Sequence, residues 1–298
     1  MTSDRSTWEA FKSVSKDMYS SRIWQEAYIE GLGFKPYPGD FMYPETQLLT
    51  VYACPQEVNY PQIAAKEGWF NLEVFHRDAK DGQVQLTQLI PEAFMLDTLE
   101  DRFTGKYIYL SLGSMASVDL ELMRRLLSVL ATTNHKYIVS KGPRGSELIL
   151  PSPNMWGEDY LPQTKLLHHV HLVITHAGNN SFTECLAAGK PVRVDCSCVL
   201  PVPSILTNNS FFFFIQMVCL PCFGDQFDSA QRIHELKLGK RINPYNFADD
   251  ELTGAIEELL YDNVLNDKLR AISERIQNDN RHEKLADKIE HLARNNKL

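Results

Sequence analysis

The side chains with the clearest chemical potential lie in the stretch "LVITHAGNNSFTE", between an apolar run and a predicted helix. His176, Gly178, Asn180 and Ser181 fall in the turn, where backbone N–H groups and the helix dipole attract an anion. Glu184 follows inside the helix, where a carboxylate is unsuited to holding phosphate but accepts hydrogen bonds from a ribose diol. The pattern predicts an anion site beside a site for sugar hydroxyls.

A second polar pair, Asp225 and Gln226, follows the apolar segment "MVCLPCFG". The carboxyl ends of parallel strands meet at one edge of a sheet, so we expect this pair to enter the same crevice. Taken singly, each signal is ambiguous, because a histidine at a strand end can be purely structural and an Asp-Gln pair is common. The sequence contains no G-x-G-x-x-G or Walker motif, so the usual dinucleotide and P-loop fingerprints are missing.

Strands alternate with helices from Lys106 onward. The predicted strands are "KYIYLSLGS", "KYIVSKG", "HHVHLVITHAG" and "MVCLPCFG", and the predicted helices are "DLELMRRLLSVLATT" and "SFTECLAAG". Strands that are apolar on both faces and alternate with helices predict an α/β fold with a parallel sheet. Residues 249–298 are predicted to be helical, and residues 54–103 form a predicted irregular connection after a strand in "LLTVYACP".

The composition argues against a nucleic-acid-binding, secreted or membrane-spanning protein. The chain has 298 residues, of which 44% are hydrophobic and 23% charged, and its net charge is −8. An acidic chain without a basic run is not expected to bind nucleic acid. The first residues lack a signal-peptide pattern, and no apolar run reaches the ~20 residues of a membrane span. We therefore expect a globular, cytoplasmic protein without a membrane anchor.

Six cysteines raise the question of a metal site. Cys196 and Cys198 form C-x-C, and Cys219 and Cys222 form C-x-x-C, so four thiolates could in principle bind zinc. The second pair lies in a predicted strand rather than in a polar turn, which favours buried structural cysteines. We expect no metal.

Together the motifs resemble the carboxyl-terminal, nucleotide-sugar half of UDP-glycosyltransferases, which have the two-domain GT-B architecture. The resemblance rests on "YLPQ", "LLHHV", "THAGNNSFTE", "GKP" and "FGDQFDSAQR". It implies a Rossmann-like UDP-sugar-binding domain at 104–298, preceded at 1–103 by a remnant of the acceptor-binding domain plus a linker. We therefore expect an amino-terminally truncated member of the family.

The resemblance assigns roles to individual residues. Tyr160 would stack on uracil in place of the family's usual Trp, and Glu184 would hold the ribose hydroxyls. The diphosphate would be met by His176 and Ser181 with help from Ser114, and the hexose by Asp225 and Gln226. The full set of implied UDP-sugar-binding residues is Ser114, Tyr160, Gln163, His176, Gly178, Asn180, Ser181, Glu184, Asp225 and Gln226. Ala177 and Asn179 occupy positions at which members of the family have different residues. Neither difference removes a charged contact.

The family's catalytic base is not recognisable in this chain. In the family, a histidine oriented by an aspartate deprotonates the acceptor hydroxyl during inverting transfer, and both lie in the amino-terminal domain. The remaining candidates match no base motif, and these are His135, His168, His171 and His234. The catalytic residues are therefore unknown.

We expect a hexosyltransferase that uses a UDP-sugar, a small lipophilic acceptor and no cofactor. One alternative is a non-catalytic fragment that binds UDP-sugar or a partner, such as a full-length relative. Another is an α/β protein that uses a different nucleotide, for instance a dinucleotide oxidoreductase.

Residues 192–216 interrupt the resemblance. Their removal joins "GKP" directly to "MVCLPCFGDQ", which restores the family spacing. Val192-Arg193 can be encoded by a splice-donor sequence, and Phe211–Phe214 with the following Ile-Gln by a pyrimidine tract that ends in an acceptor. We hypothesise a retained intron, and the alternatives are a genuine surface insertion or a partner-binding loop. Complementary DNA that never yields the shorter product would contradict the intron hypothesis.

Overall fold

The computed structural model describes residues 26–35, 48–60, 67–75, 85–96, 103, 105–188 and 215–295. They divide into two compact units. Unit one falls within Met1–Tyr52, Tyr60–Asn71 and Glu283–Leu298, and unit two within Ala53–Asn59 and Leu72–His282. The domain boundary at residue 104 and the assignment of 1–103 to an acceptor domain stay predictions.

The strands are β1 (Thr50–Tyr52), β2 (Trp69–Asn71), β3 (Tyr107–Ser111), β4 (Lys136–Ser140), β5 (Met155–Glu158), β6 (Leu172–Thr175), β7 (Gln216–Cys219) and β8 (Gly239–Arg241). The helices are α1 (Glu92–Leu96), α2 (Gly113–Ala116), α3 (Leu120–Leu130), α4 (Gln163–Leu166), α5 (Asn179–Ala187), α6 (Gln226–Glu235), α7 (Asp249–Leu260), α8 (Asn263–Gln277) and α9 (Arg281–Asn295). Residues 26–31 are also helical, and β1 and β2 form a parallel pair within unit one.

Unit two is built on a six-stranded sheet in the order β5-β4-β3-β6-β7-β8. Every neighbouring pair is parallel, with Ile108 opposite Leu172 and Tyr109 opposite Ile138. The four central strands contain mostly buried residues, because helices connect successive strands and cover the sheet. The predicted α/β fold with a parallel sheet is confirmed.

Helix α3 shows how the sequence fixes one of these covering elements. The Asp119 carboxylate accepts a hydrogen bond from the Leu122 N–H at 3.0 Å and so caps the helix. The apolar positions of α3 recur at helical spacing and lie on the buried face, including Met123, Leu126 and Leu130, each 0% exposed. The residues that predicted this helix are therefore those that pack against the sheet.

Two strands and one region differ from the sequence-based expectation. The edge strands β5 ("MWGE") and β8 ("GKR") are short, contain glycine and charged residues, and were not predicted. The connection at 54–103, expected to be irregular, contains β2, α1 and a short 3₁₀-helix at Leu86–Gln88. The edge strands are recognisable only through the neighbours that supply their backbone hydrogen bonds.

A network of ion pairs links the first segments of unit two, residues 53–59 and 72–75, to helices α8 and α9. The Glu73 carboxylate is almost fully buried, and its two oxygens lie 2.7 Å from Arg275 Nη1 and from Arg281 Nη2. Arg275 also pairs with Glu57 at 2.6 Å. Two guanidinium groups compensate the buried negative charge, so residues 53–59 and 72–75 are held against the end of α8 and the start of α9.

The described part of the chain has no helix that is both long and apolar enough to cross a membrane. It also has no group of three His, Cys, Asp or Glu side chains that could hold a metal ion. Burial raises the pKa of the Cys219 thiol to about 12 and that of Cys222 to about 11, which favours the protonated form. Cys196 and Cys198 lie outside the described residues.

The hypothesised insert lies mostly outside the described residues, at 192–214. Its last two residues are described, because Gln216 begins β7 and Ile215 is buried just before it. Gln216 Nε2 donates a hydrogen bond to Asn266 Oδ1 on α8 at 3.0 Å. On the other side, the Ala187 carbonyl at the end of α5 accepts hydrogen bonds from Ser273 and Gln277, also on α8. Helix α8 therefore holds both the end of α5 and the start of β7.

His171 lies just before β6, where its backbone N–H donates a hydrogen bond to the Tyr107 carbonyl at 2.9 Å. Burial lowers the pKa of its imidazole from the usual 6.5 to about 4, and the charge of Lys106 adds to the effect. The neutral form is therefore favoured in the folded protein.

Acidification is expected to destabilise the protein through His171. Because the unfolded chain binds a proton more readily, the stability contributed by neutral His171 is complete above pH 6.5 and is lost as the pH falls toward 4. The loss is at most about 3 kcal/mol. Urea unfolding at neutral and acidic pH measures it, and His171→Gln should show a smaller loss than the wild type. An equal loss in both proteins would contradict this assignment.

Candidate functional site

A cavity of about 600 Å³ opens at the carboxyl ends of β3, β4, β5 and β6 in unit two. This is the edge of the sheet at which ligands of open α/β folds bind. The residues around it are Tyr109, Ser111, Gly113, Ser114, Ser140, Gly142, Asp159, Tyr160, Leu161, Pro162, Gln163, Thr164, His176, Gly178, Asn179, Asn180, Ser181 and Glu184. Eight of the ten sequence-predicted site residues are thus together, and Asp225 and Gln226 are not among them.

The turn from β6 into α5 delivers most of the polar groups. Ala177 has a left-handed φ of 60°, and Gly178 has an extended backbone at the N-cap of α5. Gly178 has no side chain to cap the helix, so the N–H groups of the first turn remain available. Asn179, Asn180 and Ser181 lie in that turn and line the cavity. The positive end of the helix dipole therefore faces the cavity, as an anion site requires.

His176 lies directly before this turn. Burial lowers the pKa of its imidazole, an effect that the Ser111 backbone and the Asp225 carboxylate oppose. The neutral ring is therefore favoured while the cavity is empty. An anion beside the ring would stabilise its protonated form, so anion binding and proton uptake at His176 should be linked.

Gln163 and Glu184 form a hydrogen-bonded pair in the cavity. Gln163 Nε2 donates to Glu184 Oε2 at 2.7 Å and lies 3.5 Å from Ser181 Oγ. Glu184 is only 9% exposed, so the amide fixes the orientation of a largely buried carboxylate. The sequence suggested both residues, but only the structure shows that one positions the other.

Tyr160 forms an open aromatic surface on the cavity wall. Its side chain is 70% exposed, and it stands between the end of β5 and the start of α4. Next to it, the Asp159 carbonyl accepts the Gly142 N–H at 3.0 Å, and its carboxylate lies 3.6 Å from Lys141 Nζ. Asp159 thereby joins the loop after β4 to the segment that carries Tyr160.

Asp225 and Gln226 differ in how they are held. Asp225 is exposed at the N-cap of α6, and its charge acts on His176. Gln226 is 3% exposed, and its Oε1 accepts hydrogen bonds from the Cys222 N–H at 2.9 Å and the Phe223 N–H at 3.2 Å. Gln226 therefore closes the turn between β7 and α6, and its contact with a hexose stays a prediction.

The described residues around the cavity include no lysine or arginine. The ionisable side chains among them are the acidic Asp159 and Glu184, the phenols of Tyr109 and Tyr160, and His176. An anionic ligand would therefore be held by the helix terminus, by serine hydroxyls and by the imidazole rather than by a basic side chain.

Sequence reasoning missed several residues of the cavity. Ser140 and Gly142 follow the predicted strand "KYIVS", so their position after a strand end was a usable signal. Asp159 directly follows β5, a strand that was not predicted. Gly113 was missed because its importance depends on which side chain packs against it.

Replacement of Gln226 is expected to lower the free energy of unfolding, in addition to removing any contact with a ligand. Gln226→Ala would leave two backbone N–H groups without their acceptor, at a cost of about 2 kcal/mol. Gln226→Glu keeps an acceptor oxygen and is expected to cost less. Urea unfolding of both variants measures the difference, and a Gln226→Ala variant as stable as the wild type would show that the turn does not depend on this side chain.

No family model matches the chain. It is 27% identical over 208 residues to the ecdysteroid UDP-glucosyltransferase of Orgyia pseudotsugata multicapsid polyhedrosis virus, covering 65% of this chain and 37% of the relative. It is 27% identical over 173 residues to UDP-glucuronosyltransferase 1A6 of Oryctolagus cuniculus, covering 56% of this chain and 27% of the relative. The chain therefore matches only about a quarter to two fifths of the length of these curated relatives.

Solved structures show the same fold. The glycotransferase of kitacinnamycin superposes with a TM-score of 0.64 at 20% identity, covering 95% of this chain and 66% of that chain. The glycosyltransferase VinC in complex with DTDP gives a TM-score of 0.56 at 14% identity, covering 83% of this chain and 52% of that one. The chain is thus a homologue of the UDP-glycosyltransferases, with the mixed α/β, parallel-sheet fold of GT-B glycosyltransferases.

Proposed function

We propose that the cavity of unit two binds a UDP-sugar and that the chain serves hexosyl transfer from this donor to a small lipophilic acceptor. The observation that carries the proposal is the meeting, in one cavity, of the α5 N-terminus with His176, the Gln163–Glu184 pair and the ring of Tyr160. The relatives named as UDP-glucosyltransferase and UDP-glucuronosyltransferase support a UDP-sugar over other nucleotides.

The diphosphate is proposed to lie at the first turn of α5. There it accepts hydrogen bonds from backbone N–H groups and from the hydroxyls of Ser181 and Ser114, with His176 alongside. These groups supply the stabilisation without a metal ion, so a chelator such as EDTA is expected to leave UDP affinity unchanged.

The nucleoside is proposed to lie between Tyr160 and Glu184. The exposed Tyr160 ring offers a surface on which uracil stacks, with less area than the Trp of the family. Glu184, oriented by Gln163, accepts hydrogen bonds from the two ribose hydroxyls. The hexose is assigned to Asp225, which is exposed, and to the amide of Gln226, whose carbonyl already serves the turn.

Inverting transfer forms a bond between the acceptor oxygen and the sugar's anomeric carbon while the bond from that carbon to the diphosphate breaks. The acceptor's proton passes to a general base, and UDP leaves. His176 is the only histidine among the described residues of the cavity, and it lies with the proposed diphosphate groups. We therefore assign no base within unit two.

The combination of a proposed donor site with no assigned base also favours a second candidate function. A chain with a donor site but no assigned base fits a non-catalytic module that binds UDP-sugar or pairs with a full-length relative. The two functions share the cavity and differ only in turnover, so one assay separates them.

Calorimetry with UDP, UDP-glucose and NAD tests donor binding. UDP and UDP-glucose are expected to bind and NAD is not. Tyr160→Ala should weaken UDP binding about tenfold through lost stacking. Tyr261→Ala removes a similarly exposed tyrosine that does not line the cavity and should bind UDP normally. NAD binding without UDP binding would overturn the proposal.

Release of UDP from UDP-glucose in the presence of a phenolic acceptor then tests turnover. Release that depends on the acceptor establishes transfer. Binding without release would reject hexosyl transfer by this chain and leave the non-catalytic module.

A further inference from the structure

We propose that Gly113 and Gly178 are positioning residues for His176. They form a slot, here called the glycine slot, that holds the imidazole in the orientation needed to contact the diphosphate of a nucleotide sugar. The ligand part of this inference rests on the proposed function. The slot itself is a property of unit two and is testable without ligand.

Both glycines approach the same edge of the imidazole. A Cβ atom at Gly113 would lie 2.8 Å from His176 Cε1 and 2.9 Å from Nε2. A Cβ atom at Gly178 would lie 2.5 Å from Nε2, 3.1 Å from Cδ2 and 3.2 Å from Cε1. Real Cβ atoms do not approach other atoms within about 3.0 Å, so a side chain at either position forces the ring or the backbone around it to shift.

The burial of Nδ1 limits the freedom of the ring for such a displacement. Nδ1 of His176 is buried, whereas Gly113 and Gly178, which flank Nε2, line the cavity. The imidazole therefore presents its Nε2 edge toward the cavity through the gap between two residues without side chains. If the ring turned away, Nε2 would no longer face the first turn of α5, where the diphosphate is proposed to bind.

The two glycines differ in backbone conformation, which separates steric from conformational effects. Gly113 has φ 69°, so a side chain there also suffers left-handed strain. Gly178 has φ −60° and ψ 147°, values that alanine adopts freely. Gly178→Ala therefore tests the contact with His176 without left-handed strain, whereas Gly113→Ala adds that strain.

The experiment is a double-mutant cycle with two readouts. Gly178→Ala is expected to weaken UDP binding at least about tenfold in calorimetry, a typical consequence of one lost charge-assisted hydrogen bond. Uridine, which has no phosphate, should bind as it does to the wild type. In the His176→Ala background, the same glycine substitution should have no further effect, because the ring that it displaces is gone.

A stability cycle provides the readout that needs no ligand. Gly178→Ala should lower the urea midpoint of the wild-type protein. The same substitution should lower the midpoint of the His176→Ala variant by less, because the ring that it contacts is gone. Gly254→Ala is the matched control, since a Cβ there meets nothing within 4 Å and its position in α7 is outside the cavity. It should leave UDP affinity unchanged. If Gly178→Ala alone is too unstable to assay, folding of the double variant is itself evidence for the slot.

The outcomes separate the two proposals. If the wild type binds no UDP, the proposed function fails, and coupling in the stability cycle still decides the slot. If the wild type binds UDP but the effects of Gly178→Ala and His176→Ala simply add, the slot is wrong. Equal weakening of UDP and uridine by Gly178→Ala would also overturn it, because displacement of His176 affects only the phosphate contact.

Discussion

The site depends on one turn, the one that joins β6 to α5. A fully buried strand ends at Thr175, and the left-handed residue Ala177 redirects the chain so that α5 starts at once. This single turn points the α5 N-terminus and the His176 ring into the same cavity. Since β6 lies in the centre of the sheet, between β3 and β7, the whole core of unit two holds the turn in place.

The electrostatics of the cavity follow from that geometry. Without a lysine or arginine among its described residues, the cavity offers an anion fixed dipoles, hydroxyls and one titratable ring. The acidic residues are correspondingly restrained, Glu184 by Gln163 and Asp159 by Lys141. Dipoles that are already oriented need no reorganisation when a ligand arrives, which suits the diphosphate site that we propose.

The sequence predicted the parts of this arrangement that are local. Apolar runs identified β3, β4, β6 and β7, and the turn residues before α5 were expected at a site and line the cavity. The edge strands β5 and β8 were not predicted because they are short and contain glycine and charged residues, which are uncommon in strands. Gln226 was expected at a ligand, yet its carbonyl serves a turn, and Gly113 was overlooked because a glycine's contacts appear only in three dimensions.

We propose that a nucleotide diphosphate lies at the first turn of α5 beside His176, with the base on Tyr160. A crystal structure of the intact chain with UDP tests it most directly. We expect the terminal phosphate within hydrogen-bond distance of the N–H groups of the first turn of α5 and of the His176 ring. UDP bound elsewhere, or in this cavity with its phosphates directed away from α5, would contradict it.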